Sequence, residues 1–286
     1  RMRDIVDKHD LQNNIILHHT DTTQSNLLNH KCGSDFVVSQ GDSTFCMMDH
    51  VLHASLDGDA DRIVCYYSEN GLFRLLDGDY ISALFAYYFY KRVNTTGLRV
   101  GVVHTAYANS RFLSFIHGLG FETQCTATGV KHLHRAAEEY DIGIYFESNG
   151  HGTVLLKETY MDEDLSRFIN PLIGDGVADV FAICYVLQEL DISPKQWYGL
   201  FEKLPARTYK MVVKNKDMFK TNEDQSRLIN PADMQPILDE IMKCGCRVFI
   251  RPSGTEDIVR MHIEGPSMLD IEETKTQVRF SMRKYI

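Results

Sequence analysis

The first ninety-odd residues contain apolar positions that predict a β-hairpin followed by a helix. Residues 63–67 are β-branched or aromatic, which is typical of a strand. Residues 72–76 have the same character, and the polar turn at residues 69–71 makes them the hairpin partner. The Asp-Gly-Asp sequence at residues 77–79 then caps a helix that we expect to continue to about residue 93.

The segments before this hairpin are mostly polar. Residues 1–35 contain one apolar patch, at residues 15–17, and residues 39–43 are typical of a loop. A short apolar segment at residues 52–55 ends at an acidic cluster. The hairpin and the helix are therefore the regular elements that we predict in this part of the chain.

Strands and helices alternate after the polar turn at residues 94–97. The predicted strands are residues 99–104, 122–126 and 142–146, and the predicted helices are residues 109–119, 130–140 and 175–190. Such alternation indicates an α/β layer with a largely parallel sheet.

The order of the elements changes beyond residue 204. We predict strands at residues 209–213, 247–250 and 258–263, and helices at residues 233–243 and from about residue 270. Mixed strands and helices of this kind indicate a small α+β domain. The predicted fold class is therefore α/β, with mixed-sheet domains and a small α+β domain at the C-terminal end. The predicted units are residues 1–94, 95–203 and 204–286.

Composition narrows the classes of function. Of the 286 residues 44% are hydrophobic and 24% are charged, which is typical of folded domains. A formal net charge of −9 argues against nucleic acid as a partner, and the longest apolar stretch, residues 81–90, is too short to span a membrane. Seven cysteines without a CxxC pair indicate reduced thiols, so we expect a cytoplasmic protein. The oligomeric state stays open. Because the chain opens on Arg1, we expect it to derive from a longer protein.

An acidic cluster is the first candidate site. Asp57, Asp59 and Asp61 occupy alternate positions, and in an extended loop alternate side chains point the same way. Ligands that are all oxygen favour Mg2+ over zinc. Arg62 beside them can orient the carboxylates or hold a phosphate. A solvated acidic turn remains the alternative, whereas an EF-hand is excluded because Ser68 stands where that loop needs glutamate.

The second candidate is the loop between the last two predicted strands. Arg251 supplies a fork of charged donors, while Ser253 and Thr255 supply hydroxyls. Gly254 lets backbone N–H groups approach a ligand closely, so the loop has the parts of a phosphate cradle. Arg260, on the polar face of the next strand, is a further substrate-binding candidate. An ordinary β-turn is the alternative.

The third candidate follows the predicted strand at residues 142–146. Ligands of α/β sheets bind at the carboxyl ends of strands. Glu147 and Asn149 can hold sugar hydroxyls or an amide, and His151 can move a proton near neutral pH. Lys131, at a helix start, can reach a phosphate or a sugar. The alternatives are a plain polar turn and a surface lysine.

These three loops, in this order, resemble the metal, sugar and phosphate loops of the α-D-phosphohexomutase superfamily. The resemblance is to its phosphoacetylglucosamine mutase branch, whose sugar loop has the form Glu-Ala-Asn-Gly-His-Gly; Ser148 stands here at the alanine position. Residues 31–37, 128–134 and 174–179 also resemble that branch. The resemblance implies four α/β domains, of which we expect part of the second, all of the third and most of the fourth.

The resemblance also implies an activity. Members interconvert N-acetylglucosamine 6-phosphate and 1-phosphate, in UDP-N-acetylglucosamine biosynthesis, through a phosphorylated serine and a bisphosphate intermediate. It implies Mg2+ on the three aspartates and proton handling by His151 or Lys131, with Arg62 as a further catalytic residue. The family's serine loop, Thr-Ala-Ser-His-Asn-Pro, is not found in these residues, so we expect this chain alone to be inactive. A mutase for glucose or mannose phosphate, or a non-catalytic sugar-phosphate-binding protein, are the alternatives.

Overall fold

A computed structural model describes the chain at residues 2–21, 23–43, 47–92, 97–157, 160 and 163–286. The α-helices are α1 (Met2–Lys8), α2 (Ser34–Gln40), α3 (Gly78–Arg92), α4 (Ser110–Gly118), α5 (Val130–Ala137), α6 (Gly176–Leu190), α7 (Pro194–Tyr198), α8 (Met234–Ile241) and α9 (Met268–Met282). The strands are β1 (His53–Leu56), β2 (Ile63–Glu69), β3 (Leu72–Leu76), β4 (Val100–Thr105), β5 (Glu122–Thr126), β6 (Ile142–Phe146), β7 (Gly152–Leu156), β8 (Ala206–Met211), β9 (Lys220–Thr221), β10 (Leu228–Asn230), β11 (Arg247–Pro252) and β12 (Val259–Glu264).

The N-terminal sheet contains the predicted hairpin. Its strand order is β1-β2-β3, and both pairings are antiparallel. Asn70 and Gly71 at the hairpin turn both have positive φ, at 53° and 73°, which the two-residue turn between twisted strands requires. The structure therefore confirms the hairpin and adds β1 at its free edge.

A four-stranded sheet, in the order β5-β4-β6-β7, follows in the chain. Strands β4, β5 and β6 are parallel, as predicted, whereas β7 is antiparallel to β6 and was not predicted. Helix α3 lies between the N-terminal sheet and this sheet, and most of its residues are buried, with its apolar side chains in one continuous core. The fold is α/β with a mixed sheet.

The C-terminal unit has a separate core. Its sheet, in the order β11-β12-β8, is antiparallel, and α8 and α9 pack against it. The apolar residues of β12 are buried, as predicted, but the sequence predicted only one buried face for this strand. His262 and Glu264 on the other face are also buried, because that face packs on the loop that follows β4.

Two further expectations are corrected. Residues 34–40, part of the polar N-terminal region, form helix α2, so the loop predicted at residues 39–43 begins only after Gln40. Gly33 precedes the helix and Gly41 ends it in the left-handed conformation, which explains the local start and stop. The predicted boundary at residue 94 stays a prediction, since residues 93–96 lie outside the described residues. Of the helices that the structure describes, each is too short or too polar to cross a bilayer.

Candidate active site

The acidic loop brings its three carboxylates together. One oxygen each from Asp57, Asp59 and Asp61 lies within 4.8 Å of the other two. We expected an extended loop, but the loop is turned: Ala60 has φ 62°, and its N–H donates to the carbonyl of Asp57 at 3.3 Å. The predicted convergence is therefore observed, and a turn rather than strand-like alternation produces it.

Arg62 fixes one of these carboxylates. Its backbone N–H and its Nε donate to the two oxygens of Asp57 at 3.1 and 2.9 Å, and its Nη1 donates to Asp35 at 2.8 Å. Burial raises the pKa of Asp57, but the hydrogen bonds from Arg62 and Asp59 and the charge of Arg62 together lower it more, so the pKa lies below its ordinary value. Asp57 is therefore held as an anion.

Asp61 has the opposite electrostatic character. Burial raises its pKa, and the negative charges of Asp57 and Asp59 raise it further against the opposing effect of His151. Its buried Oδ1 lies 3.5 Å from Nε of Arg62 and makes no hydrogen bond to any residue in the described part of the chain. A cation among the three carboxylates would relieve this repulsion.

The loop after β6 is joined directly to the acidic loop. Arg62 and His151 form an isolated antiparallel bridge, and the N–H of Ile63 donates to the carbonyl of Gly150 at 3.2 Å. Gly150 has φ 86°, and a Cβ there would lie 1.7 Å from the carbonyl oxygen of Ile63. Only glycine permits this approach, which places Nδ1 of His151 3.4 Å from Oδ2 of Asp61.

Glu147, Asn149 and Lys131 differ in their surroundings. Glu147 accepts a hydrogen bond from the N–H of Gly129, which immediately precedes α5, at 3.2 Å. Asn149 uses its Oδ1 to accept from the N–H of His151 at 3.0 Å, which leaves its amide N–H groups for another partner. Lys131 is exposed in the first turn of α5. Their roles toward a ligand stay predictions.

The loop between β11 and β12 places its parts at one end of the C-terminal sheet. Arg251 and Arg260 are paired across the two strands. Ser253 is buried, and its hydroxyl accepts from the N–H of Glu256 at 3.2 Å, whereas Gly254 and Thr255 are exposed. The loop is therefore a closed turn with its glycine and threonine at the tip.

Glu256 is surrounded by cations that the sequence analysis did not connect. Lys210 and Arg260 donate to its two carboxylate oxygens at 2.7 and 2.9 Å, and Lys216 donates to its backbone carbonyl at 3.1 Å. The hydrogen bond from Lys210, and then that from Arg260, hold the pKa of Glu256 below its ordinary value. Asp257 is a second anion here, with its Oδ1 3.9 Å from Nζ of Lys216. With Arg251 included, four cations face these two anions, and such a surplus of positive charge suits an anion-binding site.

The C-terminal unit contacts the loop after β4 through Arg251, whose Nε donates to the hydroxyl of Tyr107 at 2.9 Å. The loops after β4, β5 and β6 all leave the carboxyl edge of the parallel strands, where ligands of α/β sheets bind. The same rule could have pointed to Tyr107, but no local pattern in the sequence indicates that Arg251 is its partner.

Family models match two parts of the chain. The model described as phosphoacetylglucosamine mutase AMG1, domain III, matches residues 77–165. The model described as phosphoglucomutase/phosphomannomutase, C-terminal domain, matches residues 210–279.

Individual proteins match over nearly the whole chain. A phosphoacetylglucosamine mutase of Candida albicans is 37% identical, over 90% of this chain and 53% of that protein. The crystal structure of an N-acetylglucosamine-phosphate mutase in its product complex matches with a TM-score of 0.89 and 36% identity, over 97% of this chain and 58% of the other. The Aspergillus fumigatus N-acetylphosphoglucosamine mutase, in complex with GlcNAc-6P and magnesium, matches with a TM-score of 0.87 and 33% identity. The match covers 92% of this chain and 59% of the other.

These matches agree with the fold and with the order of the three loops. The chain belongs to the α-D-phosphohexomutase superfamily, in its phosphoacetylglucosamine mutase family. It spans about half the length of the curated relatives that it matches.

Proposed function

We propose that this chain carries the metal, sugar and phosphate loops of a phosphoacetylglucosamine mutase. The reaction is the interconversion of N-acetylglucosamine 6-phosphate and 1-phosphate through a phosphoserine and a bisphosphate intermediate, in UDP-N-acetylglucosamine biosynthesis. The observation that carries the proposal is the direct joining of the acidic loop to the loop after β6, which sets His151 against Asp61. The magnesium and sugar phosphate in the Aspergillus fumigatus protein support it.

The acidic loop fits Mg2+. Three carboxylate oxygens lie close enough to share one ion, and the unpartnered Oδ1 of Asp61 and the exposed Asp59 can both turn toward it. When bound, the ion neutralises charge on a transferring phosphoryl group. Arg62 holds Asp57 in position from outside the ligand set. We therefore propose Asp57, Asp59 and Asp61 as the metal ligands.

The loop between β11 and β12 holds the phosphate that does not react. Arg251 and Arg260 supply paired positive charge, and Ser253 and Thr255 supply hydroxyl donors. The exposed Gly254 lets the phosphate approach the backbone N–H groups at the tip. Because this site binds phosphate rather than one particular sugar carbon, it serves the sugar phosphate in either orientation.

The loop after β6 orients the sugar ring. Glu147 accepts hydrogen bonds from hydroxyls, and the amide N–H groups of Asn149 donate toward the acetamido group. His151, between the ring and the acidic loop, accepts the proton of the attacking hydroxyl. Lys131 in the first turn of α5 adds positive charge on the same side, and Arg62 orients the carboxylates.

We also propose the organisation and location of the protein. Residues 1–94 form part of the second family domain, residues 95–203 the third and residues 204–286 the C-terminal one. The cysteines in the described part of the chain are free thiols, which fits a reducing, cytoplasmic compartment. The whole enzyme is a phosphoprotein by virtue of its serine loop.

Phosphorus NMR tests the proposal on the 286-residue chain. With Mg2+ present, the chain should shift or broaden the signal of N-acetylglucosamine 6-phosphate at a concentration of about 1 mM, since a few charge-assisted contacts support affinity in that range. No signal of the 1-phosphate should appear, because these residues contain no serine loop of the family form. An unchanged signal would contradict the binding role, and conversion would contradict the expected inactivity.

A further inference from the structure

Two arginines of β11 hold the loop that follows β4. Arg247 donates from Nη1 to the carbonyl of Ala106 at 2.7 Å and from Nη2 to the carbonyl of Ala108 at 2.6 Å. Arg251, four residues along the same strand and therefore on the same face, donates from Nε to the hydroxyl of Tyr107 at 2.9 Å. The backbone on both sides of Tyr107 and the end of its side chain are thus bound to one strand.

The ring of Tyr107 also packs against two rings on the same face of this sheet. Its centre lies 5.0 Å from that of Phe249 and 5.2 Å from that of His262, and both contacts are edge-on. The guanidinium carbon of Arg251 lies 5.2 Å from the centre of the same ring. Tyr107 therefore presents a fixed acceptor and a fixed aromatic face to one guanidinium.

The contacts with Tyr107 set the orientation of the Arg251 guanidinium. Nε of Arg251 is used by Tyr107, whereas its Nη1 and Nη2 make no hydrogen bond to residues that the structure describes. A guanidinium held through Nε points its two terminal nitrogens away from the tyrosine in one plane, which is the geometry for bidentate binding of a phosphate.

We infer that Tyr107 is a positioning residue for the phosphate site, which orients Arg251 and joins the phosphate loop to the carboxyl edge of the sheet that carries the sugar loop. The inference deepens the proposed function and rests on it. Glu264 adds to the contact between the C-terminal sheet and the segment after β4. It accepts a hydrogen bond from the N–H of Ser110 at 3.2 Å and forms an ion pair with Arg247 at 3.2 Å. Tyr107 lies outside the proposed metal and sugar loops, so in the longer enzyme its loss should raise KM more than it lowers kcat.

The test compares two matched tyrosine variants of the 286-residue chain. Tyr107→Phe keeps the ring and removes the hydroxyl that accepts from Arg251. Tyr209→Phe is the control, because its hydroxyl is also hydrogen-bonded, to Glu272 at 2.6 Å, and a cation, Lys275, lies 4.5 Å from its ring centre. Thermal unfolding of each variant shows that it is folded before binding is measured.

Two measurements follow on each variant. By nitrogen NMR, the Nε–H of Arg251 should exchange with water faster in Tyr107→Phe than in the unmodified chain or in Tyr209→Phe. Titration with N-acetylglucosamine 6-phosphate should show binding weakened by about threefold to tenfold in Tyr107→Phe, the loss expected for one ordinary hydrogen bond, because the hydroxyl acts on the phosphate only through Arg251. Tyr209→Phe should bind as the unmodified chain does.

Three results would overturn the inference. Unchanged exchange at Arg251 would show that the hydroxyl does not hold the guanidinium. Unchanged affinity in Tyr107→Phe, with affinity lost in Arg251→Ala, would show that the contact does not serve phosphate binding. No binding by the unmodified chain would contradict the proposed function and the positioning role together, and the exchange rates would still separate this outcome from loss of the contact.

Discussion

Nδ1 of His151 lies 3.4 Å from Oδ2 of Asp61. The two residues come from loops 90 positions apart, and the bridge between Arg62 and His151 brings them together. The imidazole that we propose as proton acceptor thereby adjoins a carboxylate that we propose as a metal ligand, an arrangement that suits phosphoryl transfer to a sugar hydroxyl.

The first prediction concerns the metal. Asp59 is exposed, so Asp59→Asn removes a ligand charge without disturbing the Arg62–Asp57 contact. Magnesium affinity, measured by calorimetric titration, should fall by at least about tenfold, since losing even an outer-sphere partner costs about 10–100-fold. Asp217→Asn, at an exposed position on another unit, is the control and should leave the affinity unchanged. Equal affinities in the two variants would contradict the assignment.

The second prediction concerns the joint between the loops. A Cβ at residue 150 would collide with the carbonyl of Ile63, whereas Gly41, which also has positive φ, has open space around it. Gly41→Ala should lower the free energy of unfolding, measured with urea, by about 1–2 kcal/mol, which is the strain of a left-handed backbone at a residue with a side chain. Gly150→Ala should cost at least about 2 kcal/mol more, because backbone must move. Similar losses in the two variants would show that the close approach does not hold the loops together.

The third prediction concerns pH. Burial, and then the charges of Arg247 and Lys203, lower the pKa of His262 to about 3. Between that value and the ordinary pKa of about 6.5 the unfolded chain binds the extra proton, so stability is present above about pH 6.5 and is lost as the pH falls. Between about pH 7.5 and about pH 5 the free energy of unfolding of the unmodified chain should fall because of His262 by about 2 kcal/mol. This part of the fall should be absent in His262→Asn.

Urea titrations at the two pH values provide the measurement for His262. His117 is exposed, so His117→Asn is the control and should keep the pH dependence of the unmodified chain. If His262→Asn and the unmodified chain lose stability in parallel, the buried neutral imidazole is not the source of the acid sensitivity.

The fourth prediction concerns the sugar. Asn149→Asp keeps the oxygen that accepts from the N–H of His151 and removes the amide donor. In an enzyme that also contains the serine loop, kcat/KM for the acetylated sugar phosphate should fall by the equivalent of about 1–3 kcal/mol. For glucose phosphate, which has no acetamido group, the loss should be smaller. Equal losses would mean that Asn149 does not contact the acetamido side of the ring.

Local chemistry explains which elements the sequence predicted. The hairpin partner Leu72–Leu76 and the strands Glu122–Thr126 and Ile142–Phe146 have the predicted bounds. The first and the third are largely apolar runs, whereas Glu122–Thr126 is of mixed polarity and was indicated by its place in the alternation of strands and helices. Strand Gly152–Leu156 was not predicted, since it begins with a glycine directly after a polar turn and is antiparallel to the neighbouring strand β6.

The candidate site likewise contains contacts that the sequence predicted and contacts that it did not. Asp57, Asp59 and Asp61 are close in sequence, so their proximity in space was predictable from spacing. The contact of Arg251 with Tyr107 and the cations around Glu256 depend on how separate units pack, and no local pattern specifies such contacts.

A crystal structure of the chain with N-acetylglucosamine 6-phosphate and Mn2+ tests the central claim most directly, because Mn2+ replaces Mg2+ on oxygen ligands and scatters anomalously. We expect an anomalous peak among Asp57, Asp59 and Asp61, and the ligand phosphate against Arg251. We also expect the sugar ring at the loop that contains Asn149. A metal or a phosphate bound elsewhere, with these loops empty, would show that the proposed sites are wrong.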